Sequence, residues 1–66
     1  MGNLLKKTRI EQGMTQTELS EKSGVSRITI SALENGTQRS TMTGTLQKLA
    51  AALGKTISDI FFPESV

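Results

Sequence analysis

The sequence predicts an all-α chain of five short helices, and three observations carry that expectation. Across 66 residues no segment alternates apolar and polar side chains at the period of two that a half-buried strand needs. Apolar residues instead recur three and four apart, as at Ile30 and Leu33 or at Leu46, Leu49, Ala50 and Leu53. That spacing lines them up on one side of a helix. Stop signals at Gly13, Gly24, Asn35-Gly36 and Gly54 also interleave with the start signals Thr15, Ser26 and Thr56.

The elements follow in order. Leu4 to Gln12 forms a first helix, with Leu5 and Arg9 on a shared face and Gly13 as the left-handed residue that ends it. Thr15 caps a second helix, and Glu18 completes a T-x-x-E capping box in which hydroxyl and carboxylate each satisfy a free backbone N–H. This helix carries Leu19 and runs to Ser23, where Gly24 stops it. Ser26 caps a third helix with Ile30 and Leu33 on its buried stripe, ended by Asn35-Gly36. The polar run from Thr37 to Thr43 reads as a loop. A fourth helix spans Thr43 to Leu53 with Gly54 behind it, and Thr56 caps a last short turn through Ile57, Ile60 and Phe61, halted by Pro63.

Composition narrows the function. A chain this short is expected to form one domain, residues 1–66, with one small core and no room for a walled substrate cleft. There is no Cys and no His, so disulfides, thiolate nucleophiles, Cys-ligated zinc and the commonest general base are all missing. Ser20, Ser23, Ser40 and Ser58 have no base near them, and Asp59 and Glu64 are too isolated to form a metal or acid–base pair. No enzyme, metal or cofactor is expected. Eight Lys plus Arg against six Asp plus Glu leave a net charge of +2, compatible with a polyanionic partner but too small to establish one. No apolar run approaches the ~20 residues of a membrane span, and the start MGNLLKK is too soon polar for a secretory signal. The expectation is a cytoplasmic protein with no membrane partner.

The organised chemistry lies in TQTELSEKSGVSRITISALENG, residues 15–36. Two capped helices are separated by Ser23-Gly24-Val25, which is the helix-turn-helix arrangement: the second helix is held clear of the first and offered to the major groove of DNA. Gly24 permits the turn, Val25 and Leu19 bury between the helices, and Ser26 caps a helix whose positive N-terminal end can face a phosphate. Arg27 stands at that exposed start and suits bidentate pairing with guanine O6 and N7, against the plainer reading of a solvated cation. Ile28 falls off the buried stripe and suits thymine methyls or a partner.

These residues resemble the phage-repressor-like (Xre, or Cro/repressor) helix-turn-helix domains. The matching positions are Arg9, Gly13, Thr15-Gln16, Glu18-Leu19, Gly24-Val25-Ser26-Arg27, Thr29-Ile30-Ser31 and Leu33-Glu34-Asn35-Gly36. After the loop come Thr45-Leu46, Leu49-Ala50, Ala52-Leu53-Gly54 and Asp59-Ile60-Phe61. The resemblance implies a compact five-helix, lambda-repressor-like domain that regulates transcription as a homodimer on double-stranded DNA. It places Arg27, Ile28 and Ala32 at base edges. It places Gln16, Ser26, Thr29, Ser31, Asn35, Thr37 and Arg39 at phosphates, with Gln16 also bracing the recognition helix. It further implies that Arg9 pairs with Glu34 inside the fold instead of joining the basic surface. The loop from Thr37 to Thr43 is about one residue longer than the family pattern and lacks its common Pro.

At the C-terminal end, Ile57, Ile60, Phe61, Phe62 and Val66 crowd large apolar groups into the last ten residues. Adjacent rings at Phe61 and Phe62 do not easily share one side of a helical turn. Either both cover the monomer's own core, or Phe62, with Met42 or Val66, faces a second copy; the expected interface is Ile57, Phe61, Phe62 and Val66. Two other readings stay open: an antitoxin or restriction–modification controller with a protein partner, and an interaction module that uses the scaffold without touching DNA.

Overall fold

The structure is a computed structural model that describes residues 3–36 and 42–62. Its helices are α1 (Leu5–Glu11), α2 (Gln16–Ser23), α3 (Arg27–Asn35), α4 (Thr43–Ala52) and α5 (Ile57–Phe61). The described residues contain no strand. α2 packs on both α3 and α4, α4 also meets α5, and α1 lies against α3 and α5.

Each helix delivers one large, fully buried side chain to a common centre: Leu5, Leu19, Ile30, Leu49 and Ile60. Val25, Leu33, Ala50, Ala52 and Leu53 complete the buried set, and Met14, Leu46, Ile57 and Phe61 pack around it. The longest helix has 10 residues and the shortest 5. Isolated helices below ~12–15 residues are marginal in water, so the shared core, more than helix propensity, holds these segments helical.

Capping sets the boundaries. The Thr15 hydroxyl accepts from the Glu18 N–H at 3.0 Å, while the Glu18 carboxylate accepts from the Thr15 N–H at 2.8 Å. The Ser26 hydroxyl accepts from the Thr29 N–H at 3.2 Å. Gly24 and Gly36 close α2 and α3 with φ of 78° and 74°, where a Cβ would strain the backbone.

The differences from sequence expectation are small and local. α1 starts one residue later and ends one earlier than Leu4–Gln12, because Leu4 takes the cap position and Gln12 the C-cap. The cap itself comes from Asn3, whose Oδ1 accepts from the Leu5 N–H at 2.9 Å. α4 ends at Ala52, with Leu53 as C-cap. Asp59, read from sequence as an isolated charge, closes a second capping box with Thr56, both bonds at 3.1 Å. Hydrogen bonds from Thr56 hold the Asp59 carboxyl below its ordinary pKa. Of the expected 37–43 loop, only Met42 and Thr43 are described, as the N-cap and first residue of α4.

Residues flanking α1 reach the ends of three other helices. The Asn3 amide donates to the Leu33 carbonyl at 3.1 Å, the Gln12 amide to the Leu53 carbonyl at 2.7 Å, and the Leu4 N–H to the Ile60 carbonyl at 2.8 Å. Terminal helix carbonyls lack intrahelical partners; these contacts supply a donor to Leu53 and Ile60 and a second one to Leu33, which also accepts from the Gly36 N–H at 3.3 Å.

Candidate nucleic-acid interface

The placement of α3 begins with its buried side. Ile30 and Leu33 anchor it in the core, and Glu34, with only 1% of its side chain exposed, is clamped from two neighbouring helices. Arg9 of α1 donates through Nε to Glu34 Oε2 at 2.7 Å and through Nη2 to Oε1 at 3.1 Å. Its Nη1 reaches the Met14 carbonyl at 2.8 Å. Gln16, the first residue of α2, donates from Nε2 to Glu34 Oε1 at 3.1 Å. A carboxylate this buried carries a large desolvation cost unless paired and hydrogen-bonded. Here the fork of Arg9 and the amide of Gln16 supply the partners. The hydrogen bond to Glu34 raises the Arg9 pKa despite the opposing effect of burial.

With α3 locked from beneath, its outer face is open. Gln16, Arg27, Ile28, Ser31, Ala32 and Asn35 line one shallow depression formed by α3 and the start of α2. Ile28 is 83% exposed. The Arg27 guanidinium meets a single described partner, the Thr17 hydroxyl, at 3.4 Å. The Asn35 amide bonds the Ser31 hydroxyl at 3.5 Å.

The sequence-predicted residues therefore fall into distinct places. Arg27, Ile28, Ala32, Gln16, Ser31 and Asn35 share the depression. Ser26 and Thr29 do not line it; they form the α3 cap, with a 3.0 Å bond between their hydroxyls. Thr37 and Arg39 lie outside the described residues. Arg9 and Glu34 are in the interior and meet each other. At the opposite end, Ile57 and Phe61 pack against the core while Phe62 is 53% exposed, so the two adjacent rings occupy different surroundings. Val66 is outside the described residues. Thr17 went unnoticed in the sequence: an exposed Thr ten positions from Arg27 carries no periodic or motif signal.

The described residues hold no cluster of His, Cys, Asp and Glu suited to a metal ion. No helix among them is long and apolar enough to cross a membrane.

Comparison with known proteins gives a consistent result. A family model for the helix-turn-helix matches residues 5–60. An uncharacterized HTH-type transcriptional regulator of Methanothermobacter thermautotrophicus is 44% identical over 62 residues, covering 92% of this chain and 88% of that protein. Among solved structures, a chain of the SinR protein/SinI protein complex aligns with a TM-score of 0.78 and 31% identity over 83% of this chain. The present chain spans 53% of that chain's length. With its two capped helices, its glycine turn and an outward-facing α3, this chain belongs to the phage-repressor-like helix-turn-helix family of DNA-binding transcriptional regulators.

Proposed function

We propose that the protein is a sequence-specific repressor that binds a two-fold operator as a homodimer in the cytoplasm. Each protomer lays α3 in the major groove of one half-site, with half-sites about one helical turn, roughly 34 Å, apart. The observation that carries this reading is the open depression in which Gln16, Arg27, Ile28, Ser31, Ala32 and Asn35 converge.

Arg27, Ile28 and Ala32 read base edges. Arg27 pairs with guanine, while Ile28 and Ala32, which cannot hydrogen-bond, contact thymine methyls. Gln16, Ser26, Thr29, Ser31 and Asn35, with Thr37 and Arg39 further along the sequence, set register on the phosphates. Ile57, Phe61, Phe62 and Val66 form the interface between copies. The exposure of Phe62 beside the core-packed Phe61 supports this assignment.

Selection of bound duplexes from random DNA, read together with the mass of the complex, tests the proposal. The expected product is a two-fold symmetric site bound by two chains, with affinity falling steeply as salt rises. Enrichment of a single asymmetric site by a monomer would overturn the dimer. Absence of any shift at low salt would overturn DNA reading and favour the interaction module.

A second reading has one observation behind it: the solved relative is a chain of a two-protein complex. It supports a protein partner that controls DNA binding, as for an antitoxin, and capture with the product of the neighbouring gene distinguishes it.

A further inference from the structure

The two hydroxyl and amide groups at the start of α2 divide their work in an unexpected way. Gln16 turns its amide down onto Glu34 at 3.1 Å, toward the C-terminal end of α3. Its neighbour Thr17 is instead the group that touches the N-terminal end of α3, through the 3.4 Å contact with Arg27. We propose that Thr17 is a positioning residue for base readout, holding the Arg27 guanidinium over the groove-facing surface. The inference rests on the reading of Arg27 as a base contact.

The argument is one of orientation and charge. A free arginine on a helix surface samples many rotamers, and fixing it on DNA costs conformational entropy. Arg27 occupies the first position of α3 and is exposed, so the core does not orient it. A carboxylate tether would orient it but would also neutralise the charge that draws it to DNA. Among the described residues the only salt bridge joins Arg9 to Glu34, and Arg27 meets a neutral hydroxyl. That hydroxyl accepts one N–H from Nη1. The guanidinium has five N–H groups in a planar fork, so four remain for a bidentate pair with guanine. Thr17 thus restricts the side chain without discharging it. Thr17 lies in the first turn of α2, whose own capping uses Thr15 and Glu18, so its side chain is not needed to start that helix.

The test uses the whole chain and compares Thr17→Val, Thr17→Ser, Arg27→Ala and the Thr17→Val/Arg27→Ala double variant. Base preference is measured on the selected duplex and on duplexes substituted at each position, at two salt concentrations. Valine keeps the shape and removes the acceptor; thermal melting checks that the fold is retained. Thr17→Val is expected to reduce guanine preference at one position by about two- to tenfold, the worth of one long, solvent-exposed hydrogen bond. Its salt dependence should be unchanged, and Thr17→Ser should retain the preference. Arg27→Ala should lower the same preference by about tenfold or more, and adding Thr17→Val to it should change nothing further. If Thr17→Val weakens all duplexes equally with a shallower salt dependence, Thr17 contacts phosphate itself and the positioning role is overturned. An unchanged preference with Arg27→Ala behaving as expected overturns the tether alone. If Arg27→Ala weakens all sequences equally, the underlying base-reading assignment fails, and the positioning role falls with it.

Discussion

Arg9 and Arg27 are the same residue type at opposite sides of one helix, and the structure uses them in opposite ways. Arg9 is buried, with three acceptor contacts to Glu34 and the Met14 carbonyl at 2.7, 2.8 and 3.1 Å. Arg27 stands in the open with one neutral contact at 3.4 Å. The first has spent its charge on Glu34, and the second has no counter-ion among the described residues. A net charge of +2 therefore says little about affinity for DNA. What matters is which cations have their acceptors supplied by the fold and which do not.

The sharpest way to break this contrast is to remove the acceptor. Glu34→Ala leaves Arg9 enclosed without its counter-ion and should destabilise the fold by roughly 3 kcal/mol. Since a chain of this size has roughly 3–10 kcal/mol in total, the loss should appear in thermal melting as a midpoint lowered by roughly 12–24 °C. Retention of the wild-type melting point would show that water replaces Glu34 at little cost. Arg27→Ala is the mirror test. It should cost about 2 kcal/mol in binding to duplexes with the preferred base, yet move stability by no more than about 0.5 kcal/mol. A melting point lowered as far as in Glu34→Ala would erase the distinction between the two arginines.

The caps supply smaller effects. Ser26→Ala removes the acceptor for the Thr29 N–H and should cost about 1 kcal/mol of stability, whereas Ser26→Gly should cost only a few tenths; chemical denaturation of both variants checks the ranking. The smallest effect belongs to Asp59, whose folded pKa lies below its ordinary value of 3.8. The unfolded chain therefore takes up this proton first as pH falls. The stabilising contribution of the carboxylate is complete above that value and is lost as pH drops through the lower folded pKa. Asp59→Asn, which keeps an acceptor but does not titrate, should flatten the acid limb of a melting-temperature profile. An unaltered acid limb would remove Asp59 from the cause.

The elements were readable because what starts and stops them is local. T-x-x-E at Thr15, Ser26 before α3 and Asn35-Gly36 after it place their boundaries within a residue. Asp59 was readable too, since T-x-x-D repeats the same geometry with a shorter carboxylate, but weighing it only as a metal or acid–base partner passes over its role as a cap. The ties from Asn3 to Leu33, Gln12 to Leu53 and Leu4 to Ile60 are different in kind. They join positions far apart in sequence, and no periodicity marks an amide that will meet a distant carbonyl. The exposed face of α3 was legible by elimination, since Ile30 and Leu33 claim the other side. The orientation of Arg27 was not, because a surface rotamer is decided by whichever neighbour the packing brings within reach.

The bond between the Leu4 N–H and the Ile60 carbonyl has a consequence for the order of assembly. It joins nearly the whole described chain into a loop, and closing a loop of that span is entropically slow compared with docking neighbours. The Arg9–Glu34 pairing needs only the first half of the chain, whereas the Leu4 partner is supplied by α5. The Leu4–Ile60 bond is therefore the last of these long-range ties that the growing chain can close, a latch between its first and last described helices. The Leu4 amide is accordingly a reporter of that latch: its hydrogen-exchange rate measures how often the two ends part while the remainder stays folded.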